Sequence, residues 1–536
     1  MTGPLLQARP ATQLVHFDRL LAIGGLAILL SLLAWHLLDL AGYVREALSY
    51  RYQLDYGEGI VWQQMRDIMA GRGYAPLQTY PAIVYHYPPV YHVASGLLAW
   101  ATGMDELFAG RTVSILSTVA TAWMVGALVD RMIPATEDRR VRMVCALLAG
   151  LLFLSCFPVR MWTPLMRVDM IAGAFGLAGI LLGLRAPSRQ AAIYGAGLMF
   201  VLAMYAKQIS FAAPAAVFAV LLWTHPRLAI RGIVFSAIIS LLALGLLEWQ
   251  TQGGFLRHVV SYNVNRFDPR LLLDIFVPQL MMHGALVILG CLGCVAGWRA
   301  LRAAADASGL RRAIAGQPHL MALAMMLLFF VIKAIMMLGM MKSGSGYNYM
   351  IEWLSAVAIF AALAIRPCVE RALAGPAQAT TAPPSIVLTL LAFAALPAQL
   401  FAMYMGLPDH RVLPALASER APIERMIAAS SRPVIADDMT FLLRAGRPVQ
   451  WESAITAELG AKKVYDQAAF AALVEAHCFG FFVNEGRPDE TLFKQRYNPQ
   501  VAAAIAQAYP REQRIGKYYL HWPVRPADGA ACRTVH

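Results

Sequence analysis

Apolar runs of roughly 20 residues recur along this chain, separated by short segments that carry arginine. A stretch of that length spans the hydrocarbon layer as one helix, so the pattern predicts an all-α polytopic membrane protein. Eleven transmembrane helices are expected, near 18–40, 107–129, 142–158, 168–184, 190–206, 208–224, 231–249, 276–298, 319–341, 349–365 and 384–405. Composition agrees: only 14% of the 536 residues are charged, against about 25% in soluble domains. The first run, Leu20 to Leu40, is long for a signal-peptide core and lacks a small-x-small cleavage site, so it reads as an uncleaved first span.

The net charge of +13 has a topological reading. Arginine clusters fall between every second pair of spans: Arg9 and Arg19; Arg131, Arg139, Arg140 and Arg142; Arg185 and Arg189; Arg227 and Arg231; Arg299, Arg302, Arg311 and Arg312; Arg366 and Arg371. The positive-inside rule then puts the N-terminus in the cytoplasm of a multi-pass inner-membrane protein. Segments 41–106 and 250–275, the Lys342–Glu352 stretch and the C-terminal tail fall outside, in the periplasm. Membrane lipids, not nucleic acid, are the expected partner of this charge.

Two units follow. Residues 1–405 form the membrane domain, with outer-face juxtamembrane helices at about 58–71 and 89–103. Residues 406–536 form a small soluble α/β domain, with strands at Pro433–Ala436 and Phe479–Val483 and helices at Ala468–Ala476 and Val501–Ala508. The connector 373–384 is placed on the cytoplasmic side. Cys291 and Cys294 sit inside an apolar run and read as helix-packing residues. Cys478 and Cys532 lie in the tail, where export permits a disulfide.

Five polar clusters share the outer face. Leu54–Gly59 offers Asp55, Tyr56 and Glu58 among glycines that permit close approach of a substrate. Glu58 also suits a helix start. Arg167 and Asp169 open a later span, where a charge at membrane depth points to function. His86 and Tyr87 belong to an aromatic, proline-bearing entry to a short helix, and neither histidine there, His86 or His92, has a metal-ligand pattern around it. Arg257–Arg266 supplies His258, Asn263 and Arg266, and Lys207 stands between two spans; these cations suit a phosphate head group. Tyr347, Asn348 and Glu352 follow a Gly/Ser turn, with Asn348 and Glu352 one helical turn apart.

These features resemble the GT-C superfamily of membrane glycosyltransferases, in the branch of the protein O-mannosyltransferases and the lipid A aminoarabinose transferase. The features that carry it are Asp55 just after the first span, the surface helices, Tyr87-Pro88-Pro89, Arg167-x-Asp169 and Asn348-Tyr-x-x-Glu352. The resemblance covers roughly residues 18–405. It implies inverting transfer of a sugar from a polyprenyl-phosphate donor to a glycan, lipid or protein acceptor. Asp55 would be the general base or would position the acceptor, Asp169 would be the second acid, Arg266 and Lys207 the phosphate contacts, and His258 the external-loop histidine. Two departures stand out. The mannosyltransferase Asp-Glu pair is here split as Asp55 and Glu58, and a family lysine is replaced at Tyr87, leaving His86 or Lys207 to substitute. No metal ligands are assigned, and a divalent metal stays open. The rival readings are a lipid-linked saccharide flippase, or an O-antigen-type ligase or polymerase. Polar groups gathered at one face without a visible internal repeat favour the transferase over the flippase.

Overall fold

The computed structural model describes residues 11–263, 265–374, 384–528 and 530–532, with side chains from residue 18. Arg9 and most of the 373–384 connector lie outside the described residues.

Helix occupies each of the eleven expected runs. Among the described residues, seven helical segments are long and apolar enough to cross a membrane: Asp18–Ser49, Glu106–Met132, Pro226–Gln250, Gly284–Ser308, Pro318–Met341, Tyr347–Leu373 and Ile386–Ala429. The other four, Arg139–Ser155, Asp169–Arg185, Ala192–Ala206 and Ala212–Thr224, have 13 to 17 residues. At 1.5 Å per residue the longest of them reaches roughly 26 Å, short of a hydrocarbon layer of about 30 Å. The structure therefore supports seven full-length crossings, with four shorter helices among them.

The helix Ile351–Leu373 is the hub, buried on nearly every face. Against it lies Gly284–Ser308, with Gly293 at the closest approach: a Cβ there would sit 1.9 Å from the Phe360 carbonyl oxygen. Small residues let membrane helices meet backbone to backbone. Gly293→Leu is expected to force these helices apart and lower stability by about 1–3 kcal/mol. The check is the thermal midpoint of purified protein in detergent, which an unstrained contact would leave unchanged.

The two ends of the bundle differ in chemistry. At one end Arg366 Nη2 donates to Glu137 (2.7 Å), joining two arginine-bearing connections. At the other, Arg111 meets Glu58. Both ends are reached by the helix Glu106–Met132, and the stretch from Arg111 to Met132 rises roughly 30 Å. Polar layer and arginine connections are thus a membrane thickness apart.

Between the first two spans run the helices Glu58–Met69 and Val90–Thr102. The second exposes Leu97 and Trp100, as a helix lying in the interface does. The C-terminal residues form a four-stranded sheet of β1 (Ile435–Ala436), β2 (Phe482–Glu485), β3 (Arg511–Ile515) and β4 (Tyr518–Trp522), in the order β1-β2-β4-β3. The β1–β2 pairing is parallel and the other two antiparallel. Helices Gln467–Glu475 and Pro499–Ala508 flank the sheet, and a disulfide joins Cys478 to Cys532.

This unit is not a detached tail. Phe441, Val483 and Tyr518 share one buried core with Tyr50, Tyr52, Ile60 and Trp62 of the first outer segment. The backbone is stitched as well: Ala82 N–H donates to the Gln450 carbonyl (2.7 Å) and Gln53 N–H to Thr440 Oγ1 (3.0 Å).

Candidate functional site

The turn at 54–57 sets the geometry. Gly57 has φ +103°, a conformation that side chains disfavour. A Cβ there would also lie 2.4 Å from Arg167 Nη1. This turn sends Asp55 and Glu58 in different directions.

Glu58 points inward and is fully enclosed. One of its oxygens accepts from Arg111 Nε (2.9 Å) and Met166 N–H (2.8 Å). The other accepts from Arg111 Nη2 (2.8 Å) and Leu54 N–H (2.7 Å). The remaining arginine donors go to the carbonyls of Ala47, Tyr50 and Tyr52 at 2.6–2.7 Å. Four segments are thereby tied at one buried ion pair. The expectation that Glu58 shares the chemistry with Asp55 is corrected by this geometry: every oxygen is occupied and no surface is left for a substrate.

Asp55 instead keeps 40% of its side chain exposed and pairs with Arg167 at 3.4 Å. Desolvation by the surrounding walls pushes its carboxyl above the ordinary value, against the pull of Arg167. Two residues on, Asp169 begins the helix Asp169–Arg185. Its Oδ1 accepts from Lys207 Nζ (2.5 Å) and Asn348 Nδ2 (2.8 Å). The Lys207 ammonium also lies 5.0 Å from the Tyr349 ring centroid. Tyr87 stands within electrostatic reach of Arg167, Asp169 and Lys207. One layer deeper, Lys333 pairs with Glu352 at 2.7 Å. Asp169 and Glu352 line a void of about 10 Å³, room for no more than one water. Buried charges at this depth persist because each is paired.

Residues from four of the five expected outer-face clusters, with Lys207 beside them, therefore meet here. Asp55, Tyr87, Arg167, Asp169, Lys207, Asn348 and Glu352 form one layered polar centre, and His86 borders it through its carbonyl, which accepts from Gln208 (2.9 Å). Burial first, then Lys342, pushes the His86 imidazole down to about 3, so it is neutral and no substitute cation. Tyr56 turns to the C-terminal unit, its ring 4.3 Å below the Arg496 guanidinium.

The 257–266 cluster does not join. His258 is buried, receives Tyr85 N–H at Nδ1 (3.2 Å) and bonds the Ala75 carbonyl through Nε2 (2.8 Å). It packs among Tyr74, Tyr85 and Tyr262, as a structural imidazole. Asn263 accepts from Lys342 Nζ (2.5 Å). The Arg266 backbone pairs with Ser343, and its side chain is exposed. Tyr347 stands apart from Asp55, against Phe157 and Trp162. Among the described residues, no three His, Cys, Asp or Glu side chains gather as a metal site.

Sequence reasoning missed the C-terminal contribution. Arg496 bridges Asp437 and Glu485 at 3.0 Å each while covering Tyr56. Glu452, from the loop before helix Ser453–Ala461, lies within electrostatic reach of Arg167 and Tyr56. The one available signal was acidic residues beside predicted buried strands, as at Asp437-Asp438.

A helical membrane bundle, two short helices after the first span and a C-terminal α/β unit make a fold that this chain shares with solved structures. The particular likeness is to ArnT from Cupriavidus metallidurans. Its apo crystal structure aligns over 91% of this chain and 97% of that one, at TM-score 0.57 and 15% identity. The form bound to undecaprenyl phosphate aligns over the same shares at TM-score 0.55 and 14% identity. No family model matches the sequence, and no curated protein matches it.

Proposed function

We propose that this chain is a glycosyltransferase that moves a sugar from a polyprenyl-phosphate carrier to an acceptor on the periplasmic face of the inner membrane, inverting the anomeric centre. The observation that carries the reading is the juxtaposition of a half-open carboxylate, Asp55, with Arg167 directly above the buried Asp169–Lys207–Asn348 layer. ArnT, a protein that shares this fold, has been crystallised with undecaprenyl phosphate.

The chemistry follows from charge. Asp55 accepts the proton of the acceptor nucleophile as that atom attacks the anomeric carbon. Arg167, whose buried Nε has no hydrogen-bond partner, donates to the departing lipid phosphate and stabilises its charge. Asp169 holds Lys207 close by as a second cation without exposing it to water. A phosphate leaves readily, so no strong general acid is required. A single displacement on one face of the sugar inverts the configuration.

Sidedness rests on the arginine placement. The Cys478–Cys532 disulfide adds support, because such bonds persist in oxidising compartments. Lys494 is exposed on the C-terminal unit. A Lys494→Cys variant in intact spheroplasts is expected to react with a membrane-impermeant maleimide. Labelling only after the membrane is lysed would reverse the topology.

Donor recognition is tested with undecaprenyl phosphate as the probe. Binding to the native state alone raises stability by about 2.7 kcal/mol at a ligand concentration of 100 Kd, visible as a higher thermal midpoint. Arg167→Gln should lose most of that rise. A wild-type protein whose midpoint ignores the lipid would oppose the reading.

A further inference from the structure

Glu452 is held in place by its neighbours. Trp451 stacks on Phe470 with ring centroids 4.2 Å apart and donates from Nε1 to Tyr465 (3.0 Å). The Gln450 carbonyl is tied to Ala82 (2.7 Å), and the Glu452 carbonyl accepts from Thr456 Oγ1 (2.7 Å). The backbone is thus fixed on both sides while the carboxyl itself is left unengaged. The residue is 7% exposed, and its buried Oε2 has no hydrogen-bond partner. An unmet buried acceptor costs about 1–3 kcal/mol, more if charged. Such a group is free to take a partner that the fold does not supply.

The charge pattern points the same way: of the buried acids without an ion pair, Asp438 accepts from Thr440 N–H and the Tyr518 hydroxyl at 3.1 Å each, whereas Glu452 Oε2 accepts from nothing. Asp55 has Arg167, Asp169 has Lys207, Glu352 has Lys333, and Asp437 and Glu485 share Arg496. Glu452 makes no ion pair among the described residues. Burial pushes its carboxyl up to about 7, and Arg167 only partly offsets this. The titratable groups within its electrostatic reach are Arg167 from the membrane domain and Tyr56 from the 54–57 turn. Arg496 and Asp437 stand behind Tyr56. Glu452 therefore shares both of its neighbours with Asp55: Arg167, and the turn that bears Tyr56.

We propose that Glu452 is a substrate-contacting carboxyl contributed by the C-terminal unit, which accepts a hydrogen bond from a hydroxyl of the acceptor and holds it beside Asp55. The inference rests on the glycosyltransferase reading above. In that reading Arg167 supplies the contact to the lipid phosphate, which leaves the Glu452 carboxyl to a hydroxyl. Its origin in the C-terminal unit, away from the apolar helices that would hold a polyprenyl chain, assigns it to the acceptor side.

The test compares wild type, Glu452→Gln and Glu452→Ala in full-length reconstituted protein. A polyprenyl-phosphate radiolabelled sugar serves as donor, and a detergent extract of the cognate envelope lipids and glycans supplies the acceptor. Glu452→Ala should raise the extract concentration needed for half-maximal transfer about tenfold, the equivalent of one hydrogen bond. Slow donor hydrolysis by water, the thermal midpoint shift with undecaprenyl phosphate, and the midpoint of Glu452→Gln should all stay at wild-type values. Acceptor dependence within twofold of wild type in Glu452→Ala overturns the proposal and leaves the transferase reading standing. Equal loss of hydrolysis and transfer makes Glu452 a structural residue and overturns it too. Failure of the wild type to transfer any such sugar removes the transferase reading, and this inference with it.

Discussion

Asp55→Asn is expected to lower sugar transfer by about 10²–10⁴-fold, the contribution of a positioned general base, while insertion and folding stay intact. The asparagine amide is nearly isosteric and keeps a contact to Arg167, but it cannot take a proton from the nucleophile. The 40% exposure of this side chain means that little packing depends on it, so thermal midpoints of mutant and wild type should agree. The pH profile gives a second readout. Desolvation raises the Asp55 carboxyl, and catalysis needs the deprotonated form. The acid limb of kcat/KM should therefore fall above the ordinary carboxylate range, with activity rising as pH increases through it. Wild-type turnover by Asp55→Asn would remove this residue from the mechanism.

Glu58→Ala should behave in the opposite way, failing in stability rather than chemistry. The substitution leaves the Arg111 guanidinium, 1% exposed, without its counter-charge, and deprives Leu54 and Met166 N–H of their acceptor. Breaking one side of a buried ion pair costs about 3–5 kcal/mol. That is a large share of the 5–15 kcal/mol typical of a whole domain. The expected result is poor recovery of monodisperse protein and a strongly lowered midpoint. Removing both charges together, as Glu58→Gln with Arg111→Met, should recover part of the loss. A stable, monodisperse but inactive Glu58→Ala protein would instead return Glu58 to the chemistry.

The contrast between these two acids marks how far local sequence could go. Their spacing made them look like a pair, and only the turn at Gly57 separates one outward from one inward carboxylate. The helices were legible because apolar length and arginine placement are local signals. Their completeness was not: the runs at 168–184 and 190–224 fold as helices of 13 to 17 residues, ending at the polar layer. Asp169, Lys207 and Asn348 were each conspicuous as polar groups beside apolar sequence. Their mutual contact joins residues up to 179 positions apart, which no periodicity records. His258 misled for the same reason, since a histidine among aromatics reads alike whether it binds phosphate or bonds its own backbone. The C-terminal unit was recognisable as α/β, with the first strand shortened to its last two residues and the second shifted along by two or three. Its union with the first outer segment, through contacts such as Tyr80 with Gln450, lies beyond what sequence spacing expresses.

The central claim is that Asp55 and its polar layer consume a sugar carried on polyprenyl phosphate. Lipid mass spectrometry of three strains tests it most directly: a deletion, the deletion complemented with wild type, and the deletion complemented with Asp55→Asn. A glycosylated polyprenyl phosphate should accumulate in the deletion and Asp55→Asn strains and return to baseline with wild type. Indistinguishable polyprenyl-phosphate pools in all three strains would contradict it.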